Sequence, residues 1–448
     1  KKGDLVVDMA QAKRGYANHI LYKGSNESAW AAMYAELLVN FPDMRGFKAE
    51  PIFKDKLFDG KLGEVTALRA TRTRDINYSA PYYVIANTSD SAVKAVNQAI
   101  RQGKKVYLTE DGYIVDTSTF ANLLGDYAIY GDALYKVPEG PSLKALKVYA
   151  PPHQFYWAGV DSPTHTALAL KNLGFDIVDT PEEADVIVLE SNKFDKSILG
   201  RKPTIVVGGS AMQRLEKLGV LDGFDAERFS GGSDFEGLMK AIIDDKDPLT
   251  SGYKKNDLFY SNSGNWIAKA PANFKTLATI ADSDYYIAGW WPGNEKLANK
   301  IVAISGNYKE HPLFVYAGNP TNRLHTIHFY RWVSNAVFGN QLAELKDMPV
   351  THKPSVEIVE ILNQKPQPKQ AGKTADKPTA PKAKEEQLES LAQKTSEAQP
   401  TATAQKATNT QQAQLPQTGS KENSALFTVA SILLATSGGL FLLKKKEA

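Results

Sequence analysis

The chain has 448 residues with 53 basic and 50 acidic side chains, a formal net charge of only +3, and no cysteine. That near-balance carries no electrostatic footprint for nucleic acid. The missing thiol excludes cysteine nucleophiles, disulfides and cysteine-based zinc sites within this chain. The length allows two or three domains with real cores.

Residues 1–77 read as a mixed segment, the end of a domain that begins upstream. The chain opens Lys1-Lys2-Gly3-Asp4, without a start methionine or a signal-peptide apolar run, so it is expected to be the C-terminal part of a longer precursor. Leu5-Val6-Val7 is a strand candidate. Glu27 to Asn40 has helical spacing at Trp30, Met33, Tyr34, Leu37 and Leu38, with Ser25 or Asn26 as cap and Phe41-Pro42 as its end. Arg45-Gly46-Phe47 and Arg69 to Arg74 add charge in no spacing that implies chemistry.

Residues 78–144 read as a small α/β domain. Tyr82 to Ala86 is a continuous apolar run, expected as a strand buried on both faces. Asn87 to Asp90 offers caps for a helix with Ala92, Val93, Val96, Ala99 and Ile100 on one stripe. Gly103 suits its C-terminus, and Val106 to Leu108 is the next strand, which makes a β-α-β unit.

Residues 145–345 repeat that alternation on a larger scale. Strands are expected at Val148–Ala150, Phe175–Val178, Val186–Leu189 and Thr204–Val207. Helices are expected at Thr164–Leu173, from Thr180-Pro181 onward, and after Gly208-Gly209-Ser210. Phe314–Gly318 and Leu324–Phe338 supply a closing strand and helix. Such alternation implies an α/β fold with a doubly wound, mostly parallel sheet, whose ligand crevice lies at the strand C-terminal ends.

Three constellations are candidate sites. Gly208-Gly209-Ser210-Ala211-Met212 approaches a nucleophile elbow, but Met212 stands where the last small glycine belongs. Ser210 as a nucleophile would need a histidine base held by a carboxylate, which chain order does not supply. Trp266, Tyr285, Tyr286, Trp290 and Trp291 are a possible aromatic ligand platform, or else core. Among the seven histidines, His325 and His328 are the one close pair, and no histidine has glutamate three residues on. No metal site and no catalytic residue is therefore assigned within this chain.

Residues 346–414 are dominated by Pro, Lys, Gln, Ala and Thr, a composition that cannot bury enough apolar surface to fold. They read as a disordered, wall-spanning linker. Residues 415–448 combine Leu415-Pro416-Gln417-Thr418-Gly419, a polar spacer, the uncharged 19-residue run Ala425–Leu443, and Lys444-Lys445-Lys446. The run is long enough as a helix to cross a hydrocarbon core of roughly 30 Å, and the lysines behind it favour a cytoplasmic end. The order of these parts resembles the cell-wall sorting signal of Gram-positive surface proteins. The resemblance implies that a sortase cuts between Thr418 and Gly419 and joins the Thr418 carbonyl to a peptidoglycan amine, while 425–443 holds the chain in the membrane transiently. The expected localisation is the extracellular wall surface.

Two further resemblances follow from the quoted stretches. "LGFDIVDTPEEADVIVLES" followed by "PTIVVGGSAMQRL" resembles the class I glutamine amidotransferase fold, in which the strand corresponding to Thr204–Val207 leads to an elbow bearing a catalytic cysteine. Here Gly208 and Gly209 occupy that elbow, so amidotransferase activity is not expected. "ANHILYKGSNESAWAAMYAELLVNFPDMRGF", "IANTSDSAVKAVNQAIRQGKKV", the elbow region and "FVYAGNPTNRLHTIHFYRWVSNAVF" together resemble the C-terminal half of large exported bacterial zinc carboxypeptidases. That resemblance implies a non-catalytic accessory half, with zinc and its His-x-x-Glu motif in an upstream domain. A glycan- or protein-binding surface module and a serine hydrolase using Ser210 are the alternatives.

Overall fold

The computed structural model describes residues 4–29, 40–54, 57–58, 60, 62–63, 73, 75–154, 161–229, 235–339 and 343–348. Residues 30–39 of the expected helix at Glu27–Asn40, all of the cluster Arg69–Arg74 but Thr73, nearly all of the 346–414 linker and the sorting signal at 415–448 lie outside the described residues. Among the described residues, no helix is long and apolar enough to cross a membrane.

The N-terminal segment contains α1 (Arg14–Leu21) and α2 (Phe41–Arg45). Pro42 sits in the first turn of α2, where its missing N–H has no partner to lose. Asn40 caps that turn by accepting from the Asp43 N–H at 3.0 Å, and Gly46 closes it with φ +80°. Leu5, Val6 and Val7 do not form the expected strand; they are extended, unpaired and exposed.

Four strands follow: β1 (Tyr82–Ile85), then α3 (Asp90–Arg101), β2 (Tyr107–Thr109), β3 (Gly112–Asp116), α4 (Thr117–Asp126) and β4 (Gly131–Leu134). Ser89 caps α3, and Ala92, Val93, Ala95, Val96 and Ala99 form its buried stripe. The strand order is β2-β3-β1-β4, with every neighbouring pair antiparallel. The expected β-α-β pair is thus split, because β3 inserts between β1 and β2. Burial along β1 alternates instead of covering both faces: Tyr83 and Ile85 are buried, Tyr82 and Val84 only half-buried.

A short β5 (Lys136–Glu139) leads to the large sheet. Its elements are β6 (Lys147–Tyr149), the hairpin β7 (His153–Gln154) and β8 (Asp161–Ser162), α5 (His165–Asn172), β9 (Asp176–Val178), β10 (Val186–Leu189), β11 (Thr204–Val207) and α6 (Gly209–Lys217). Then come β12 (Asp225–Arg228), β13 (Glu236–Ile243), β14 (Asn256–Ser261), β15 (Asn265–Lys269), β16 (Lys275–Ile280), β17 (Tyr286–Trp290), β18 (Ile301–Tyr308) and β19 (His311–Tyr316). α7 (Tyr330–Phe338) and β20 (Glu344–Asp347) close the described chain, with β20 pairing antiparallel to β5. The stretch after Thr180 is a turn, because only a few residues separate β9 from β10.

The fold is mixed α/β. Strands β9-β6-β10-β11-β19 are parallel, and β10 and β11 are buried along their whole length, as a strand covered on both faces requires. Beyond β19 the sheet continues antiparallel through β18, β16, β13 and β14, an extension the alternation pattern did not announce. α7 is buried at all nine positions. Its Trp332 stacks on Tyr253 at 4.9 Å and lies 5.1 Å from Tyr316, which fixes the helix against the end of β19.

α7 also carries buried polar groups. Arg331 donates to the carbonyls of Asn87 and Gly252, lies 4.1 Å over the Tyr253 ring, and donates from Nη2 to His328 Nδ1 at 3.0 Å. His328 Nε2 in turn meets Asp257 Oδ1 at 2.7 Å. Asn335 donates to the Ser251 carbonyl at 3.0 Å and accepts from Asn87 Nδ2 at 2.9 Å. These bonds offset the burial of Arg331, His328 and Asn335, and together they tie the end of β1 to α7 and the 249–253 turn.

Candidate functional site

β10, β11 and β19 run parallel and end together, so their C-terminal ends define the crevice of the sheet. β11 passes through Gly208, with φ +82° and ψ 156°, directly into α6. Gly208 N–H donates to the Tyr316 carbonyl at 2.9 Å, and its carbonyl accepts from Met212 N–H at 3.1 Å. An L side chain is strained at such a φ. Gly209 is required for another reason: a Cβ there would lie 1.9 Å from Asn265 Nδ2. Met212, whose size argued against a hydrolase elbow, is fully buried and serves the core.

Asn265 begins β15, is 2% exposed, and packs its carboxamide on the elbow. Its Oδ1 accepts from Gln213 Nε2 at 3.0 Å, and its amide donates to the Ser263 carbonyl. Asn319, just past β19, accepts from Asn262 N–H and Ser263 Oγ, both at 3.2 Å. Asn262 donates to Asn322 Oδ1 at 2.9 Å, Asn322 to the Tyr260 oxygen at 2.7 Å, and Tyr260 to Glu236 Oε1 at 2.6 Å. Burial first, and then the Glu236 charge, holds the Tyr260 phenol well above its ordinary range, so it acts as a fixed donor. The turn 261–264 and the loop after β19 thereby close over the elbow as one bonded set.

Ser210 is exposed at the start of α6, and no described residue hydrogen bonds to its hydroxyl. The base contact that a serine nucleophile needs is absent among the described residues. The chemistry available at this elbow is hydrogen bonding by carboxamides.

The aromatic candidates are not an open platform. Trp291 is 0% exposed, Trp266 6% and Tyr285 7%; Trp266 packs on Phe229, and Trp291 on Phe229 and Phe235. Residues 25–28 run beside β17: Glu27 N–H donates to the Gly289 carbonyl at 2.8 Å, and Trp291 N–H to Ser28 Oγ at 3.1 Å. Trp290 and Tyr286 remain half-buried.

His325 and His328 do not share a helical face. They fall in the 3₁₀ turns before α7, where His325 meets the Phe41 ring edge-on at 5.4 Å and His328 has both ring nitrogens engaged. With Arg331 against His328, zinc does not fit there, and no group of three potential ligands is assembled among the described residues.

A second set of side chains lines the other side of the crevice. Glu190, one residue past β10, accepts from Thr166 N–H at 2.9 Å and lies 4.0 Å from His165 Nδ1. Thr166 and Thr321 share a buried hydroxyl hydrogen bond of 2.8 Å. His165 Nδ1 also accepts from Arg323 N–H at 3.4 Å. Sequence reasoning missed Asn265 and this histidine, since neither sits in a motif; their placement depends on strands far apart in the chain.

Residues 407–448 match the family described as the LPXTG cell wall anchor motif. No curated protein matches the sequence. Among solved structures, the chain is similar to a putative GMP synthase subunit from Thermoplasma acidophilum, at 15% identity over 43% of this chain and 92% of that one, with a TM-score of 0.31. It is also similar to a cytoplasmic protein from Salmonella typhimurium, at 13% identity over 44% and 99%, TM-score 0.28. A third is a glutamine amidotransferase from Thermotoga maritima, at 13% identity over 42% and 81%, TM-score 0.25. The α/β assignment stands on the strand order itself. The anchor motif implies sortase processing and covalent attachment to peptidoglycan, which makes this a surface protein of the Gram-positive cell wall.

Proposed function

We propose that the described α/β unit is a non-catalytic accessory module, held on the cell wall by the C-terminal signal and working beside an exported zinc carboxypeptidase domain. The observation that carries the non-catalytic reading is the elbow. Gly208 and Gly209 keep the strand-to-helix turn, but Asn265 packs against it and Ser210 has no base at hand among the described residues. The carboxypeptidase association is supported by the four sequence stretches at 17–47, 85–106, 203–215 and 314–338. The residues present do not fit zinc, so no metal-dependent step is assigned to them. In this reading sortase cleaves between Thr418 and Gly419, Thr418 becomes the point of wall attachment, and 425–443 retains the chain in the membrane until transfer.

The test has two parts. The purified chain is assayed with a C-terminal peptide reporter, glutamine and a generic ester, and its zinc content is measured after dialysis. No turnover and no retained zinc are expected. Hydrolysis lost on Ser210→Ala, or zinc lost on His325→Ala, would overturn the non-catalytic reading. Sequencing the gene upstream of Lys1 tests the association: a His-x-x-Glu peptidase domain in the same polypeptide supports it, and an upstream sequence without one refutes it.

A further inference from the structure

Three elements converge beside the crevice: α2, the start of α5, and the loop from Asn319 to His325. Each brings a positive or protonatable group. Arg45 is exposed at the end of α2, with its guanidinium 5.3 Å over the Phe41 ring. His325 packs on the other edge of that ring at 5.4 Å. His165 opens α5 with its side chain 36% exposed, and His153 stands 6.5 Å away, ring to ring. Arg323 is exposed and sits in the left-handed region at φ +48°, followed by Leu324 at +60°.

Two successive non-glycine residues in that region are unusual, and the surroundings hold them there. Thr321 is bonded to Thr166, Asn322 to Asn262 and Tyr260, and Thr326 donates to the Pro320 carbonyl at 2.7 Å. The result turns the Arg323 backbone N–H to His165 Nδ1 at 3.4 Å. Neither Arg45 nor Arg323 has an ion-pair partner among the described residues. Of the carboxylates nearby, Glu190 lies 4.0 Å from His165 Nδ1 and accepts from the Thr166 N–H through Oε2, and Asp43 Oδ2 accepts from Asn40 Nδ2 at 2.7 Å.

We propose that Arg45, Arg323, His165 and His325 form a binding site for a small oxyanion, a carboxylate or phosphate group, beside the strand-end crevice. His325 is held below the ordinary imidazole range by burial first and then by the charges of Arg45, Arg323 and His165. An anion seated among them would relieve that repulsion, and a guanidinium fork suits either oxyanion. The site is independent of the carboxypeptidase reading. Carboxylates and phosphates are both oxyanions that a wall-attached protein can meet, so the probes are chosen to distinguish them.

The test is titration calorimetry of the purified chain at pH 6, with sodium phosphate and with N-acetyl-Ala-Ala beside its C-terminal amide, at fixed ionic strength. Saturable binding of at least one oxyanion is expected, and whichever binds more tightly identifies the source. Arg323→Gln and Arg45→Gln should each weaken it at least tenfold, while Arg201→Gln, an exposed arginine elsewhere, should leave it unchanged. Because Arg45 is exposed outside the strained loop, its variant keeps the test valid even where Arg323→Gln disturbs the loop. No saturable binding by either oxyanion, equal binding of the amide and the acid with none of phosphate, or unaltered affinity in Arg45→Gln would each overturn the proposal.

Discussion

Gly209→Ala is the sharpest probe of the elbow, because the structure says what the added methyl meets. At the first residue of α6, alanine should favour the helix by about 1 kcal/mol over glycine. Here the Cβ would fall 1.9 Å from Asn265 Nδ2 and 2.3 Å from its Cγ, so the carboxamide must leave. Leaving breaks its bonds to Gln213 and the Ser263 carbonyl, at about 1 kcal/mol each, and strands buried polar atoms at about 1–3 kcal/mol more. The net expectation is a loss of about 2–4 kcal/mol. Asn265→Gly removes the obstacle in advance, so Gly209→Ala made in that background should be neutral or slightly stabilising. Urea midpoints of the parent, both single variants and the double variant close the cycle, with a coupling of about 3 kcal/mol expected between these touching residues. Additive losses would refute the account, since they would place the requirement for glycine in the backbone and not in the Asn265 contact.

Gly208→Val should destabilise by about 1–3 kcal/mol through its positive φ, and Asn319→Gly should not rescue it, as urea midpoints will show. Arg331→Met should cost about 3–5 kcal/mol, because the Asn87 and Gly252 carbonyls and the His328–Asp257 pair lose a buried partner; thermal melts check this. His328 is held below the ordinary imidazole range by burial, opposed by its Asp257 bond and reinforced by the Arg331 charge. The unfolded chain therefore takes up this proton first, so stability is full above about pH 6.5 and falls as pH drops below it. In urea titrations between pH 7.5 and 5, His328→Gln should flatten that slope; an unchanged slope would count against it. Thr418→Ala should leave the protein exported but released or membrane-held, and covalent attachment to purified walls at the parental level would refute the assigned junction.

The parallel half of the sheet was legible because buried strands such as Val186–Leu189 and Thr204–Val207 are unbroken apolar runs, and the helices α5 and α6 fall where their apolar spacing put them. The antiparallel half was not. Between Asp225 and Tyr308 the strands are irregular and bulged, with register shifts at Asp225/Ala226 and Leu238/Met239, and alternation blurs where one strand pairs with several neighbours. The glycines of the elbow were visible as glycines, but the reason for Gly209 lay more than fifty positions away in Asn265. For the aromatic group Trp266, Tyr285 and Trp291 the sequence left platform and core both open, and burial places these three in the core. Arg323 offered no signal at all, since a left-handed backbone at arginine follows from the loop's long-range bonds and not from its own preference.

The pairing of β20 with β5 has a mechanical consequence. A chain tethered to the wall through its C-terminal signal transmits any pull from the tether into Asp347 before it reaches the core. The first resistance is a four-residue antiparallel ladder, Glu344 to Asp347 against Lys136 to Glu139, reinforced by the surface ion pair of Lys346 with Glu139. Directly behind it stands α7, which is buried at every position. The ladder is thus a breakaway link in series with a rigid anchor: under load it should yield first, lengthening the tether while Trp332 and the sheet stay in place. Single-molecule pulling from the C-terminus should show that small early extension, and cross-linking Leu345 to Pro138 through engineered cysteines should abolish it.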